Sequence, residues 1–163
     1  MDHSTCASSA SWCSRTDSLF DVPGMHVPGV DRQPDWANYG DGTINAAPLA
    51  GGSSYVLVGG QAQPYGVAVD GTSIYWTTWN WVAGGPAGSG GVYQAPLSGE
   101  FANLLVGGEL LPAGLTVDGT SVYWASYGDS MIKQASLGGG TSIDLIDVSG
   151  APAPRGVALP SFG

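Results

Sequence analysis

Pro64-Tyr65-Gly66-Val67-Ala68-Val69-Asp70-Gly71-Thr72-Ser73-Ile74-Tyr75-Trp76 returns, without a gap, as Pro112-Ala113-Gly114-Leu115-Thr116-Val117-Asp118-Gly119-Thr120-Ser121-Val122-Tyr123-Trp124. A second segment follows each of these. Gly91-Val92-Tyr93-Gln94-Ala95-Pro96-Leu97 answers to Met131-Ile132-Lys133-Gln134-Ala135-Ser136-Leu137, and both answer to Thr43-Ile44-Asn45-Ala46-Ala47-Pro48-Leu49. Three copies of one unit are therefore present. Within each, apolar runs are cut by Gly, Asp and Ser, which reads as four short strands. In the middle copy these fall near 65–69, 73–78, 91–96 and 102–106. Asp70-Gly71-Thr72-Ser73 closes the first hairpin and Ser98-Gly99-Glu100 the last, because such residues accept the positive φ angles of tight turns. A four-stranded antiparallel meander recurring about every 40 to 45 residues is the pattern of a propeller blade.

The expected fold is thus all-β, a β-propeller fragment of about three four-stranded antiparallel blades. Its parts are an irregular tail over 1–22, a degenerate blade over 23–62, a blade over 63–110, a blade over 111–153, and the first strand of a further blade over 154–163. Landmark spacing locates the one irregularity. From the Trp to the following Leu the separation is 13 residues in the first copy (Trp36 to Leu49), 21 in the second (Trp76 to Leu97) and 13 in the third (Trp124 to Leu137). The extra length is an inserted loop over 79–90, rich in Gly and a surface loop by composition. The first copy is the least regular: Val30-Asp31-Arg32-Gln33-Pro34-Asp35-Trp36 is one residue short and has Asp35 where the others have Tyr.

Composition agrees with this reading. The chain has 27 Gly and 11 Pro in 163 residues, which leaves little room for long helices and demands frequent turns. Thirteen acidic side chains face four basic ones (Arg15, Arg32, Lys133 and Arg155), a formal charge of −9 that repels a phosphate backbone, so nucleic acid is not an expected partner. The same imbalance opposes an anionic membrane surface. No apolar run approaches the roughly 20 residues needed to span a bilayer, so no membrane insertion is expected. Residues 1–22 lack both a basic n-region and an apolar h-region and do not read as a secretory signal. Cys6 and Cys13 suit a local disulfide in an oxidising compartment; a metal site joining them to His3 and His26 would lack the two tight ligand pairs of structural zinc.

At Tyr75-Trp76-Thr77-Thr78 and Tyr123-Trp124-Ala125-Ser126 the repeat resembles the Tyr-Trp-Thr-Asp propellers of the low-density lipoprotein receptor type, and the bacterial repeat proteins related to them, from about residue 23 to the end. It departs at the last motif position, where Thr78, Ser126 and Asn38 stand in place of Asp. A hydroxyl or amide is expected to take over part of the inter-blade hydrogen bonding that the family assigns to that Asp. The resemblance implies a six-bladed ring, extracellular or in the cell envelope, that acts by binding rather than by catalysis. Three blades and the half-strand Arg155 to Leu159 do not close such a ring. Either the sequence is a fragment, or two copies pair as a homodimer that completes it.

Tyr75, Trp76, Tyr123 and Trp124 recur at fixed places, and strand alternation sends neighbours to opposite faces, so they are expected between blades as core. Trp79, Asn80 and Trp81 are the candidate ligand-binding residues. They open the inserted loop, which has no counterpart in the other copies and stands on the rim shared with the links between blades. Aromatic rings there would stack on a sugar or a peptide side chain, or else fold back over the neighbouring blade. Asp70 and Asp118 sit at turn positions. Asp41 and Asp129 follow Tyr-Gly in equivalent loops, and no dense acidic loop offers the about six to eight oxygens that calcium takes. Catalysis finds no support: the two histidines fall in the irregular first part, no Gly-x-Ser-x-Gly elbow occurs, and no Glu lies near a repeat landmark. The expectation is a non-catalytic binding or scaffold module, without cofactor or metal, for a protein or carbohydrate ligand. The alternative is part of a propeller enzyme, a hydrolase or lyase, with its active residues on other blades.

Overall fold

A computed structural model of the chain describes residues 35–80, 88–99 and 101–160. These residues contain strands β1 (Asp35–Asn38), β2 (Thr43–Ala46), β3 (Tyr55–Val58), β4 (Pro64–Val69), β5 (Ser73–Thr78), β6 (Gly90–Pro96), β7 (Asn103–Glu109), β8 (Pro112–Val117), β9 (Ser121–Ser126), β10 (Met131–Ser136) and β11 (Ile143–Asp147), and among them no helix. Each strand pairs antiparallel with its sequence neighbours in three sheets, ordered β1-β2-β3, β4-β5-β6-β7 and β8-β9-β10-β11. The chain is a set of β-propeller blades. In the first sheet Trp36 of β1 is the counterpart of Trp76 in β5. The counterpart of β4 and β8 there falls before residue 35, outside the described residues.

The repeated Val-Asp-Gly-Thr-Ser-x-Tyr segment is a self-contained hydrogen-bond circuit. Asp70 Oδ1 accepts the backbone N–H groups of Thr72 at 2.7 Å and Ser73 at 2.8 Å, while its Oδ2 accepts the Tyr75 hydroxyl at 2.7 Å. Gln94 reaches across from β6 to donate to Ser73 Oγ and Tyr75 Oη. Asp118, Thr120, Ser121, Tyr123 and Gln134 reproduce every one of these contacts in the next blade. An Asp in this turn satisfies backbone donors that the hairpin would otherwise leave open. The Tyr that follows closes the circuit.

Blades pack face to face through the other residues of the same strands. Between the first and second sheets lie Ile44, Leu57 and Val58 on one side and Ile74, Trp76 and Leu97 on the other. Between the second and third lie Tyr75, Val92 and Val106 against Leu115, Val122 and Trp124. Tyr75 and Trp76 thus fill the two gaps on either side of one blade, as the period of two along a strand requires. Trp76 and Trp124 are fully buried.

The strands of the central row approach most closely. A Cβ on Gly66 would lie 2.6 Å from the Ala113 carbonyl oxygen and 2.9 Å from the Gly114 Cα; a Cβ on Gly114 would lie 2.8 Å from the Arg155 oxygen and 2.9 Å from the Gly156 Cα. The Pro-x-Gly element of the repeat is the place where neighbouring backbones touch, and only Gly fits there. Residues 154–160 carry no strand pairing, yet Gly114 N–H donates to the Arg155 carbonyl at 2.8 Å, so this segment lies against β8. One blade earlier the equivalent bond contains a hydroxyl. Thr77 Oγ1 accepts from Gly66 N–H at 2.9 Å and donates to the Ala113 carbonyl at 2.8 Å. Where Thr77 is replaced by Ala125, the amide reaches the carbonyl directly.

The expectation that the fourth motif position takes over part of the inter-blade bonding holds at Ser126, which bonds the link between blades, and is corrected at Thr78 and Asn38. The third motif position carries the bridge, while at the fourth the Thr78 hydroxyl is buried with no partner among the described residues. Ser126 Oγ donates to the Leu110 carbonyl, and Asn38 stays within its own turn, bonding to Asp41 and Thr43. Thr77→Ala copies the Ala125 arrangement and should cost about 1 kcal/mol in thermal or denaturant unfolding. Isosteric Thr77→Val separates the amide from the carbonyl with a methyl group and should cost more, about 1–3 kcal/mol.

The turn aspartates set a pH limit. Backbone N–H bonds from Thr120 and Ser121, then the Thr120 and Tyr123 hydroxyls, hold the Asp118 carboxyl at about 2, below the ordinary 3.8. Burial works to raise Asp70, but the Tyr75 hydroxyl and the Thr72 and Ser73 amides outweigh it and lower its pKa as well. A depressed carboxylate stabilises the fold fully above its unfolded pKa and loses that contribution as pH falls through the folded one. The melting temperature should therefore fall between pH 4 and about 2. Asp118→Asn should be less stable at neutral pH and show a shallower acid loss.

Candidate binding surface

The links between blades and the turns between second and third strands share one rim, and the backbone ties them together. Trp79 N–H donates to the Gln63 carbonyl and Tyr127 N–H to the Leu111 carbonyl, both at 3.1 Å; Asn80 N–H reaches Ala62 and Gly128 N–H reaches Leu110. Gln63 and Leu111 each take a positive φ, 53° and 52°, turning the link into the next inner strand in the same way. Trp79 and Asn80 are thus part of the repeating frame. This corrects the expectation that the start of the insertion has no counterpart: Trp79 follows Trp76 by three residues as Tyr39 follows Trp36 and Tyr127 follows Trp124. An aromatic three places past the core Trp was the signal available in the sequence.

Equivalent positions on adjacent blades bring these rings together. Trp79 stacks on Tyr65 with centroids 4.7 Å apart and planes 7° from parallel. Tyr127 lies over it at 6.3 Å and 19°, and Tyr39 meets it edge-on at 5.9 Å. Offset stacks and edge contacts suit the ring quadrupole, and each adds about 0.5–1.5 kcal/mol beyond the area it buries. The Trp79 indole N–H is buried without an acceptor among the described residues, so its side chain is positioned by the ring contacts. Trp79 itself is half-buried, but Tyr39 and Tyr65 are 42 % and 37 % exposed. The result is a shelf of four rings drawn from three blades, with Trp79 at its centre.

Of the other candidates, Asn80 is committed to the base of the insertion. Its amide donates to the Ser89 carbonyl at 3.2 Å, and its own carbonyl accepts the Ser89 hydroxyl at 2.7 Å. Trp81 lies outside the described residues, as do Cys6, Cys13, His3 and His26. Tyr39, Tyr65, Tyr127 and Arg155 belong to the surface and were not singled out from the sequence.

The charges on this rim divide sharply. Lys133 of β10 is held by three carboxylates: Asp129 at 2.9 Å, Glu109 at 3.3 Å and Asp144 at 3.4 Å. Glu109 is almost fully buried at the end of β7 and also accepts the Ser142 hydroxyl at 2.7 Å. Burial works to lower the Lys133 pKa, but the hydrogen bond to Asp129 and the charge of Glu109 outweigh it and push it above the usual lysine range. Its charge is fully spent inside the fold. Asp129 is thereby an ion-pair partner, while Asp41 caps Thr43 through its backbone N–H and hydroxyl. Arg155 is the opposite case. It is exposed, its guanidinium sits 4.7 Å from the centroid of the Tyr127 ring, and among the described residues no carboxylate pairs with it. A single unpaired cation therefore stands at the edge of an aromatic shelf.

Trp79→Ala should destabilise the chain by about 1–3 kcal/mol, less than the about 3–5 kcal/mol expected for Trp124→Ala in the closed gap. The double variant Tyr65→Ala/Trp79→Ala should fall short of the sum of its singles, because the two rings are each other's partner. Chemical denaturation of the four variants measures both differences.

No protein-family profile matches the chain, and no curated protein does. Among solved structures, a chain of the nidogen/laminin complex is similar, with a TM-score of 0.66 and 22 % identity over 78 % of this chain and 48 % of that one. The present chain thus spans about half the length of that neighbour. At this identity the likeness is one of fold, and it agrees with the blades described above.

Proposed function

We propose that the chain is a non-catalytic binding module whose rim shelf of Tyr39, Tyr65, Trp79 and Tyr127, edged by Arg155, takes a segment of another protein that carries an acidic side chain next to an aromatic or proline residue. The observation that carries this reading is the shelf itself. Rigid rings drawn from three blades offer stacking area at little entropic cost, beside the one described cation that no carboxylate neutralises. Tyr, Trp and Arg are the side chains that dominate protein-binding energetics. The similar chain belongs to a complex of two proteins, which supports a protein ligand over a carbohydrate. The Tyr-Trp-Thr-Asp repeat type and an extracellular or envelope setting belong to the same reading; the paired Tyr75-Trp76 and Tyr123-Trp124 support the former.

A phage-displayed peptide library panned on the full chain tests it. Selected peptides should pair Asp or Glu with an aromatic or Pro, and a synthetic copy should bind at least about tenfold more weakly to Arg155→Ala and to Tyr65→Ala, a loss of about 1.4 kcal/mol. Binding should also weaken with added salt. Peptides that bind Arg155→Ala and Tyr65→Ala as tightly as the parent chain, or a glycan array that yields the only ligands, would sink the proposal.

A further inference from the structure

Two positions of the repeat change together between the second and third blades. Counted from Pro64 and Pro112, Gln61 and Glu109 are equivalent, as are Trp76 and Trp124; Tyr93 and Lys133 hold one place in the segments that follow. In the second blade Gln61 Oε1 accepts the Trp76 indole N–H at 3.1 Å, and Tyr93 stacks on the same indole with centroids 5.9 Å apart and planes 13° from parallel. In the third, this neutral pair becomes a charged one and the acceptor is drawn away. Glu109 Oε1 takes the Ser142 hydroxyl at 2.7 Å and its Oε2 faces Lys133 at 3.3 Å. The buried Trp124 indole N–H is left without an acceptor among the described residues.

Stability does not account for the exchange. A buried ion pair loses in desolvation about what it recovers in attraction, and the orphaned indole adds a cost that the second blade avoids. What the lysine adds is a further contact. Asp129 Oδ2 lies 2.9 Å from Nζ, the shortest of the three ion pairs. Asp129 stands in the turn between β9 and β10, two residues past Tyr127, the ring beneath Arg155. Its Oδ1 is buried without a hydrogen-bond partner, so among the described residues Lys133 alone engages this carboxylate. The cation that marks the shelf and the acid nearest to it along the turn are thus kept apart by a second cation.

We infer that Lys133 is a specificity-determining residue of the shelf: by holding Asp129 it keeps that carboxylate from Arg155 and leaves the guanidinium to an acidic group of the bound peptide. The inference rests on the shelf being a binding surface. With Lys133 gone, the freed carboxylate and the exposed cation pair at the Tyr127 turn, and an internal acid competes with the acid of the peptide.

The repeat supplies the variant that tests it. Glu109→Gln with Lys133→Tyr copies the second blade and leaves the net charge unchanged. The Trp124 indole N–H signal in proton–nitrogen NMR should then move toward that of Trp76, which reports that the copied arrangement has formed. Read without any peptide, Asp129→Asn and Arg155→Ala should change the melting temperature additively in the parent chain and non-additively in the swapped one, because only there are the two side chains partners. The probe peptide acetyl-Asp-Tyr-Pro-amide should bind the swapped chain at least about tenfold more weakly than the parent. Adding Asp129→Asn should return most of that loss, a rescue that a purely structural brace would not give. Glu109→Gln with Lys133→Gln carries the same test where the first swap fails to fold. Additivity in both backgrounds, or a swapped chain that binds the probe as tightly as the parent, would overturn the inference. Non-additivity in the swapped chain with no probe bound by the parent would support the hold of Lys133 on Asp129 and count against the binding reading alone.

Discussion

Backbone meets backbone at Gly66 and Gly114, and the remaining architecture answers to that contact. With the central strands held this close, no side chain fits at the Gly itself, and the blades diverge only through what stands behind it. Trp76 and Trp124 occupy that space, each seated against the preceding blade, while Tyr75 on the next position serves the following one. The polar cost of the close approach is met locally. Each Gly amide finds a carbonyl on the neighbouring strand, through the Thr77 hydroxyl in one gap and directly in the next. Two arrangements of one bond, in one chain, show how much freedom a repeat retains once its backbone contact is set.

The rim shelf is a by-product of the same frame. Bonding between the residue three places past the core Trp and the link ahead of the same blade's inner strand holds Trp79 and Tyr127 at the same height on their two blades. An aromatic at this position in three successive copies therefore produces adjacent rings without any further device. Tyr65, one place past Pro64, completes the stack under Trp79. The inserted loop begins inside this frame at Trp79 and Asn80, and Asn80 and Ser89 clasp its base.

Electrostatics separate structure from surface in a chain of net charge −9. Lys133 is drawn inward by Asp129, Glu109 and Asp144, and the buried Glu109 would be an uncompensated charge without it. Arg155 is exposed and sits over the Tyr127 ring, with no carboxylate paired to it among the described residues. The two cations differ by environment: one neutralises the end of a buried strand, the other marks a surface.

How much was legible follows from range. The Pro-x-Gly, Val-Asp-Gly-Thr-Ser and Tyr-Trp elements act within a strand or hairpin, so their spacing alone determined an all-β chain of repeated four-stranded meanders, the placement of strands near 65–69 and 73–78, and the assignment of Tyr75 and Trp76 to opposite gaps. Alternation along a strand has a period of two, and that is written residue by residue. Contacts between blades are not local in this sense. Whether Thr77 or Thr78 carries the inter-blade bond, whether Lys133 finds one carboxylate or three, and whether Trp79 stands free or lies between Tyr65 and Tyr127 depend on how adjacent sheets are offset, which no single copy of the repeat encodes. Only the tertiary structure brought Tyr39, Tyr65, Trp79, Tyr127 and Arg155, spread across more than a hundred residues, onto one rim, because that proximity exists between blades and nowhere along the chain.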